Sequence, residues 1–398
     1  MTPGTVSVTT NLACVPEHRG PLDFVFVVHP RAIEDVFRVY PHLDPRDGAA
    51  AMAAVRRFPV SVASPITVTC GGRRLHGELV SIPYLPAEFR RRIRPIRAAL
   101  REVMAYASSR GARVVGLGAL IPSRTRYGAD LAPFAQGMTV TTGHAFTAHA
   151  LARHVWALEA LWGDPRTVAI VGAAGSIGSG TARALAGRPR GQTVTLIDVA
   201  ARLGAVERLR QEMIAAGCRR IEISSCLESI RDAAVVVCAT NAPTAIIRTS
   251  DLAPGCIVID DSQPPNITLE TAWEAKAVVI KCLAAVPAVD CPFDYGLFPP
   301  EERAGREGVI FTCLAETIML AADGGATGFD VGSPGPGPLS AIAALAEKFG
   351  VTIAPFQSFP EVGGLTWDPA RRRFAARDPD PIDAGDRDLR RSGGAMPP

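Results

Sequence analysis

The 398-residue chain has no apolar run approaching the roughly 18 residues that a membrane-crossing helix needs, so no integral membrane segment is expected. Its first twenty residues, MTPGTVSVTTNLACVPEHRG, lack a basic start followed by an apolar core, so no secretory signal peptide is expected. None of the nine cysteines forms a Cys-x-x-Cys pair, which argues against a zinc ribbon, a thioredoxin-type centre or any resident metal. An odd number of scattered thiols points instead to reduced cysteines and a cytoplasmic location. An excess of one charge sign is also missing. Lys and Arg number 42 against 39 Asp and Glu, which excludes a general nucleic-acid binder. A short-chain dehydrogenase would need a Tyr-x-x-x-Lys pair, yet the only tyrosine after residue 167 is Tyr295, followed four positions on by Pro299.

What the chain does have is a 47% apolar composition and a change of rhythm near residue 165. Before it, strands are expected at 23–28, 66–70, 73–82, 113–117 and 139–142, with helices over 31–40, 87–109 and 145–162. Gly71-Gly72 signals a hairpin. From Thr167 onward strands and helices alternate. Strands are expected at 167–171, 193–198, 220–224, 234–238, 256–260 and 277–281, and helices at 177–187, 201–216 and 268–275. Such alternation implies a parallel sheet covered on both faces. The expected fold class is therefore α/β: a Rossmann-type doubly wound parallel sheet plus an N-terminal α/β substrate domain. The expected division is a flexible arm at 1–20, the N-terminal domain at 21–165 and the dinucleotide-binding domain at 166–325. A helical extension at 326–368 and a disordered tail at 369–398 complete it.

The strongest motif is TVAIVGAAGSIGSGT (167–181). An apolar strand runs into Gly172-x-x-Gly175-x-x-Gly178 and a helix follows. Glycines at this spacing allow a sharp turn and a close approach of helix and backbone to a diphosphate. The helix start carries unpaired N–H groups and partial positive charge, so the phosphates need no lysine. Gly172, Ala174, Gly175, Ser176, Ile177 and Gly178 are the expected cradle. Asp198, at the end of the next strand, is placed to accept ribose hydroxyls and to repel a 2′-phosphate, which leans to NADH; Arg202 nearby leaves NADPH open. Thr240 and Asn241 follow the fourth strand, where the nicotinamide half should lie.

VIFTCLAETIMLAADGG (309–325) places Cys313 near a helix start, where a thiolate would be stabilised and nucleophilic. From the residues alone, Cys313 reads more readily as a packed core thiol. Four segments carry a resemblance: LPAEFRRRIRPIRAAL (85–100), VTTGHAFTAHA (140–150), VAIVGAAGSIGS (168–179) and DCPFDYG…FTCLAETIML (290–320). In order and spacing they resemble the cyanobacterial-type long-chain acyl-[acyl-carrier-protein] reductases, which make aldehydes from acyl thioesters. The resemblance implies that Cys313 is the nucleophile, with Glu316 one turn later, and that the cofactor is NADPH. The chain departs from the family's pattern in having Asp198-Val199 after the second strand and His144 and Phe146 after Gly143.

The implied mechanism is acyl transfer to Cys313 followed by hydride delivery. His144 and His149 are candidate proton donors. The GLGALIPS loop with Ser123 is the candidate oxyanion site. The substrate would be an acyl-carrier protein or acyl-CoA. Arginines 90, 91, 92, 94, 97, 101, 110 and 113 would offer an acidic carrier a docking face, chiefly along Arg90–Arg101. Homo-oligomerisation is left open. Two rivals remain. One is a non-covalent dehydrogenase on a two-domain frame like that of shikimate dehydrogenase, using a Lys/Asp pair, though residues 1–165 contain no lysine. The other is a non-catalytic NAD(P) sensor.

Overall fold

The computed structural model describes residues 20–354, apart from positions 59, 165, 243 and 263 and the segments 291–307 and 326–331, together with 9–10, 365–368 and 373–376. Most of the N-terminal arm, most of the DCPFDYG stretch and most of the C-terminal tail lie outside the described residues.

The first sheet contains β1 (Phe24–Val28), β2 (Ser61–Cys70), β3 (Arg73–Ser81), β4 (Val114–Leu117) and β5 (Thr139–Thr141). Its order is Thr9–Thr10, β2, β3, β1, β4, β5, with the short strand Val289–Asp290 also pairing with β2. The β2–β3 hairpin turns on Gly71 and Gly72 at φ 57° and 73°, the left-handed pair that a two-residue hairpin requires. β2 begins five residues earlier than its sequence pattern suggests. It carries Pro65 just past a register shift between Val62 and Ser64, a site where a missing N–H is tolerated. A helix at Gly48–Val55, capped by the Asp47 carboxylate, precedes it and has no counterpart in the sequence reading.

One face of this sheet is covered by α1 (Ile93–Ser109), whose Ile96, Leu100, Val103 and Met104 pack on Val25, Val27 and Val80. Pro95 falls in the first turn, where its missing N–H would have had no helical partner.

The second sheet has six parallel strands: β6 (Val168–Val171), β7 (Val194–Ile197), β8 (Ile221–Ser224), β9 (Val235–Cys238), β10 (Ile257–Asp260) and β11 (Val278–Lys281). Their order is β8-β7-β6-β9-β10-β11. Runs such as VAIV and VVVC are apolar throughout because both faces are covered. Val168, Ile170, Val235 and Val237 face α2 (His144–Trp162) and α3 (Ser176–Ala186). Ala169, Val171, Val236 and Cys238 face Ile247, Leu252, Ile267 and Ala272. α4 (Leu203–Ala215) follows β7. Chain order reverses between β6 and β9, so a crevice opens at their C-terminal ends. The α/β class with a doubly wound parallel sheet is thus realised.

Two elements join the sheets. α5 (Thr312–Ala322) lies on the free face of the first sheet, Leu314 and Ile318 packing among Phe24, Phe26, Leu75 and Leu79. Gly116 in β4 makes room for it, since a Cβ there would overlap Thr317. α2 runs from the cleft across the second sheet, and α6 (Pro336–Phe349) packs on both α2 and α5. The backbone of 373–376 pairs antiparallel with 365–368, within and beside the tail expected to be disordered. Among the described residues no helix is long and apolar enough to cross a membrane.

Candidate functional site

A cleft of about 650 Å³ lies between the sheets, and three walls meet in it. The first is the glycine turn. Gly172 sits at φ 87°, and a Cβ there would meet the Ala239 carbonyl oxygen at 2.5 Å. A Cβ on Gly178 would overlap the Gly172 carbonyl, so only glycine lets α3 start this close to β6. Gly175 is the N-cap of α3, and no side chain caps that helix start from the N-cap position. The first turn of α3 therefore presents N–H groups to the cleft beside Gly172, Gly175, Ser176 and Ile177. The Asp198 carboxylate accepts the N–H of Ala174 at 2.8 Å and of Val199 at 2.9 Å, and the exposed Arg202 donates to the Ala174 carbonyl at 2.8 Å. Both side chains line the cleft at its outer end, an acceptor and a cation side by side. This cradle fits a dinucleotide diphosphate.

Thr240 and Asn241 also line the cleft, Thr240 directly beside Gly172. Thr240 is tied down: its N–H reaches Ser262 Oγ at 3.1 Å and its hydroxyl reaches Asn266 Oδ1 at 2.7 Å. Asn266 and Ser262 are in turn held by Asp260, whose carboxylate accepts their N–H groups at 2.7 and 2.9 Å.

The second wall is the start of α5. Cys313 is its second residue and lines the cleft. It packs on Gly143, the N-cap of α2, so closely that a Cβ on Gly143 would overlap it. The expected stabilised thiolate is not what the structure gives. Burial pushes the Cys313 thiol up to about 12, and the Asp261 and Glu316 carboxylates add to it, against the N–H groups of Leu314 and Cys313 that pull it down. The helix start contributes, but desolvation exceeds it.

Glu316 is buried and does not line the cleft. Its carboxylate takes the Phe146 N–H at 2.6 Å and the Thr141 hydroxyl; burial raises its pKa above the ordinary carboxylate value, and these bonds, with the backbone N–H groups of Gly143 and Ala145, oppose that rise. It is the anion at the N-terminus of α2. His144 reaches Ser176 Oγ at 2.8 Å through Nδ1, linking the starts of α2 and α3, with the Tyr127 ring edge-on at 5.8 Å. Desolvation holds it neutral, at about 4. His149 lies away from the cleft lining, stacked on Phe146 at 6.2 Å. Ser123 lines the cleft, but its hydroxyl donates to the Leu120 carbonyl at 2.8 Å. In the GLGALIPS loop the N–H groups of Gly118, Leu120 and Ile121 already donate to Val27, His29 and Gly118, so these three cannot form an oxyanion hole without breaking a bond.

The third wall went unread in the sequence. Asp261 and Lys281 line the cleft at the ends of β10 and β11. Asp261 is pushed up to about 7 by burial, with Lys281 pulling it down and Asp260 adding to the rise. The doublet Asp260-Asp261 at the end of an apolar strand was the available signal. The first sheet and its flanking segments also line the cleft, with Phe26, Val28, Val36, Val39, Leu79 and Leu117 and, beside them, the polar His29, Arg31, Asp35, Ser61 and Ser81.

The arginine face is thinner than its sequence count. Arg92 pairs with Glu88, Arg97 with Asp130, Arg110 with Glu78 and Arg113 with Asp23. Arg101 lies over the Phe134 ring. Arg90, Arg91 and Arg94 are exposed and, among the described residues, make no ion pair.

No family model matches the chain. A long-chain acyl-[acyl-carrier-protein] reductase of Synechococcus elongatus is 27% identical over 292 residues, covering 69% of this chain and 81% of that protein. Among solved structures, a shikimate dehydrogenase in complex with NADP+ is 15% identical over 68% of this chain and 87% of its own, with a TM-score of 0.38. A quinate dehydrogenase from Corynebacterium glutamicum in complex with NAD is 14% identical over 65% and 87%, with a TM-score of 0.35.

Proposed function

We propose that this protein is an NAD(P)H-dependent reductase that converts an acyl thioester to an aldehyde through an acyl-enzyme on Cys313. The parallel sheet order and the glycine cradle are those of a dinucleotide-binding oxidoreductase fold. The observation that carries the finer reading is the shared cleft. Cys313 lines it together with the glycine cradle and the apolar side chains of the first sheet. A thiol there meets an acyl carbon whose chain lies along those side chains. The resemblance of the Cys313 helix, and the acyl-carrier-protein reductase of Synechococcus elongatus, agree with it.

A reduced nicotinamide held in the cradle would supply the hydride. The residues of the chain do the rest. The helix start of α3 and the backbone of Gly172–Gly175 bind the diphosphate. Asp198 and Arg202 face the adenosine ribose. Gly143 lets Cys313 stand on the cleft, and capture of a thioester by a thiol is nearly isoenergetic, so it fixes the carbonyl at small cost. Arg90, Arg91 and Arg94 offer an acidic acyl-carrier protein its approach, with acyl-CoA as the alternative donor.

A second reading is favoured by one observation, the presence of both Lys281 and Asp261 on the cleft. A non-covalent dehydrogenase could use such a pair on a hydroxylated substrate. The apolar side chains of Phe26, Val28, Val39, Leu79 and Leu117 on the cleft weigh against it, because hydroxyls laid along them would be left unpaired.

The test is turnover with NADPH and NADH across acyl-CoA and acyl-carrier-protein thioesters of increasing length. Aldehyde formation that strengthens with chain length is expected. Cys313→Ala should abolish it while leaving nicotinamide binding unchanged. Full turnover by that variant, or reduction confined to hydroxylated substrates, overturns the reading.

A further inference from the structure

We propose that Asp261, partnered by Lys281, is the proton carrier of the Cys313 site. Its carboxylate takes the Sγ proton as the thiol attacks, then returns it to the departing carrier thiol. The assignment rests on the reading of Cys313 as acyl acceptor.

The placement follows from the sheet. Asp261 is the first residue past β10 and Lys281 is the last of β11; the two strands pair with Asp260 opposite Lys281. Lys281 is thereby held opposite Asp260, its charge also acts on Asp261, and the Asp261 N–H, donating to the Cys238 carbonyl at 3.2 Å, ties that strand end to β9. Cys313 reaches the same cleft from the first turn of α5. The groups that face Asp261 are Asp260 and Lys281 from the strand ends, Cys282 just past β11, and Cys313 from α5. Those that face Cys313 are Asp261, Cys282 and Glu316.

The other ionisable groups nearby are committed elsewhere. Glu316 spends both oxygens on α2 and Thr141. Asp260 is fully buried on two backbone N–H groups. His144 is joined to Ser176 and held at about 4, too weak a base near neutrality. Cys282 is buried and its thiol is raised well above its ordinary range. Asp261, at about 7, matches what proton transfer at neutral pH requires. A thiol at about 12 is barely ionised, so its proton must leave during attack rather than before it.

The step balances. The Sγ–H bond breaks and its proton passes to Asp261 while the Sγ–acyl bond forms. The acyl–sulfur bond to the carrier then breaks, and the carrier sulfur keeps that electron pair and takes the proton back. The products are acyl-Cys313 and a free carrier thiol, with no net oxidation. Asp261 ends as it began, and Lys281 balances its charge whenever it is ionised.

The experiment uses palmitoyl-CoA without nicotinamide, with the acyl adduct followed by intact mass across pH. Iodoacetamide alkylation mapped to Cys313 is followed in parallel. Wild-type acylation should rise with pH through about 7. Asp261→Asn should slow acylation on the order of a hundredfold. The same variant should speed alkylation, because a negative charge that disfavours the thiolate is gone. Lys281→Met should move the acylation midpoint upward, which decides the matter if Asp261→Asn does not fold. Equal acylation by Asp261→Asn, a parallel fall in acylation and alkylation, or an unmoved midpoint in Lys281→Met overturns the assignment. A wild-type protein that takes no acyl group at any pH overturns the acyl-enzyme reading itself, and this assignment with it.

Discussion

α2 and α3 both begin at a glycine in the same cleft and treat their first turn in opposite ways. α2 starts at Gly143, and the buried Glu316 carboxylate from α5 sits on its N–H groups. α3 starts at Gly175 with no N-cap side chain on it. The two starts are joined by the hydrogen bond between His144 and Ser176. A helix N-terminus attracts an anion in either case. Where the chain supplies its own, the helix is a structural anchor that holds Gly143 against Cys313. Where it does not, the first-turn N–H groups are left open to an anionic ligand, with Asp198 taking only the Ala174 N–H ahead of the helix. The same physics therefore assigns one glycine start to the frame and the other to the cofactor.

The largest expected effects come from breaking either start. Gly178→Ala drives a methyl into the Gly172 carbonyl and pushes α3 off its cradle. Dinucleotide affinity should fall at least ~100-fold, roughly 3 kcal/mol, by fluorescence titration, while acylation of Cys313 persists. Glu316→Ala strands the N–H groups of α2 in a buried site and should cost about 3 kcal/mol in denaturant unfolding, with Glu316→Gln recovering part of it. Were Glu316→Ala as stable as wild type, α2 would have no need of its internal anion and the contrast would fail.

The link between the starts is expected to be acid-labile. His144 is held at about 4 in the folded chain against 6.5 as its ordinary value, so the unfolded chain binds the proton more readily. Its contribution is complete above pH 6.5 and is lost as pH falls toward 4. His29, His149 and His154, each also lowered to about 4 by burial, act in the same direction. The melting temperature should drop across that window, and His144→Asn should remove a share of the drop worth roughly 3 kcal/mol. The smallest effect concerns the rim of the cradle. Asp198→Ser removes the acceptor beside Arg202 and should shift cofactor preference toward NADPH by about tenfold in kcat/KM, or ~1.4 kcal/mol.

The second sheet was legible because its signals are local. Four-residue runs such as VVVC and IVID state their own burial, and Gly172-x-x-Gly175-x-x-Gly178 states its own turn. Gly71-Gly72 announced its hairpin for the same reason. What was not legible is long-range. Glu316 and Thr141 lie 175 positions apart, so the sequence offers no sign that this carboxylate caps α2. Asp260-Asp261 and Lys281 meet only because β10 and β11 are neighbours. The motif places Cys313 at a helix start, but the desolvation that outweighs that start belongs to the packed cleft rather than to the motif. The arginine segment is less free than its count, because Asp130, Glu78 and Asp23, which pair with Arg97, Arg110 and Arg113, come from outside it, while Glu88 within it pairs with Arg92.

The central claim is that the cleft carries a hydride donor on one side and an acyl-accepting thiol on the other. It is tested most directly by incubating the protein with long-chain acyl-CoA in the absence of nicotinamide and mapping the mass gained. The account predicts one acyl group, on Cys313, released as aldehyde when NAD(P)H is added. An unmodified Cys313 in a protein that nonetheless turns over would contradict it.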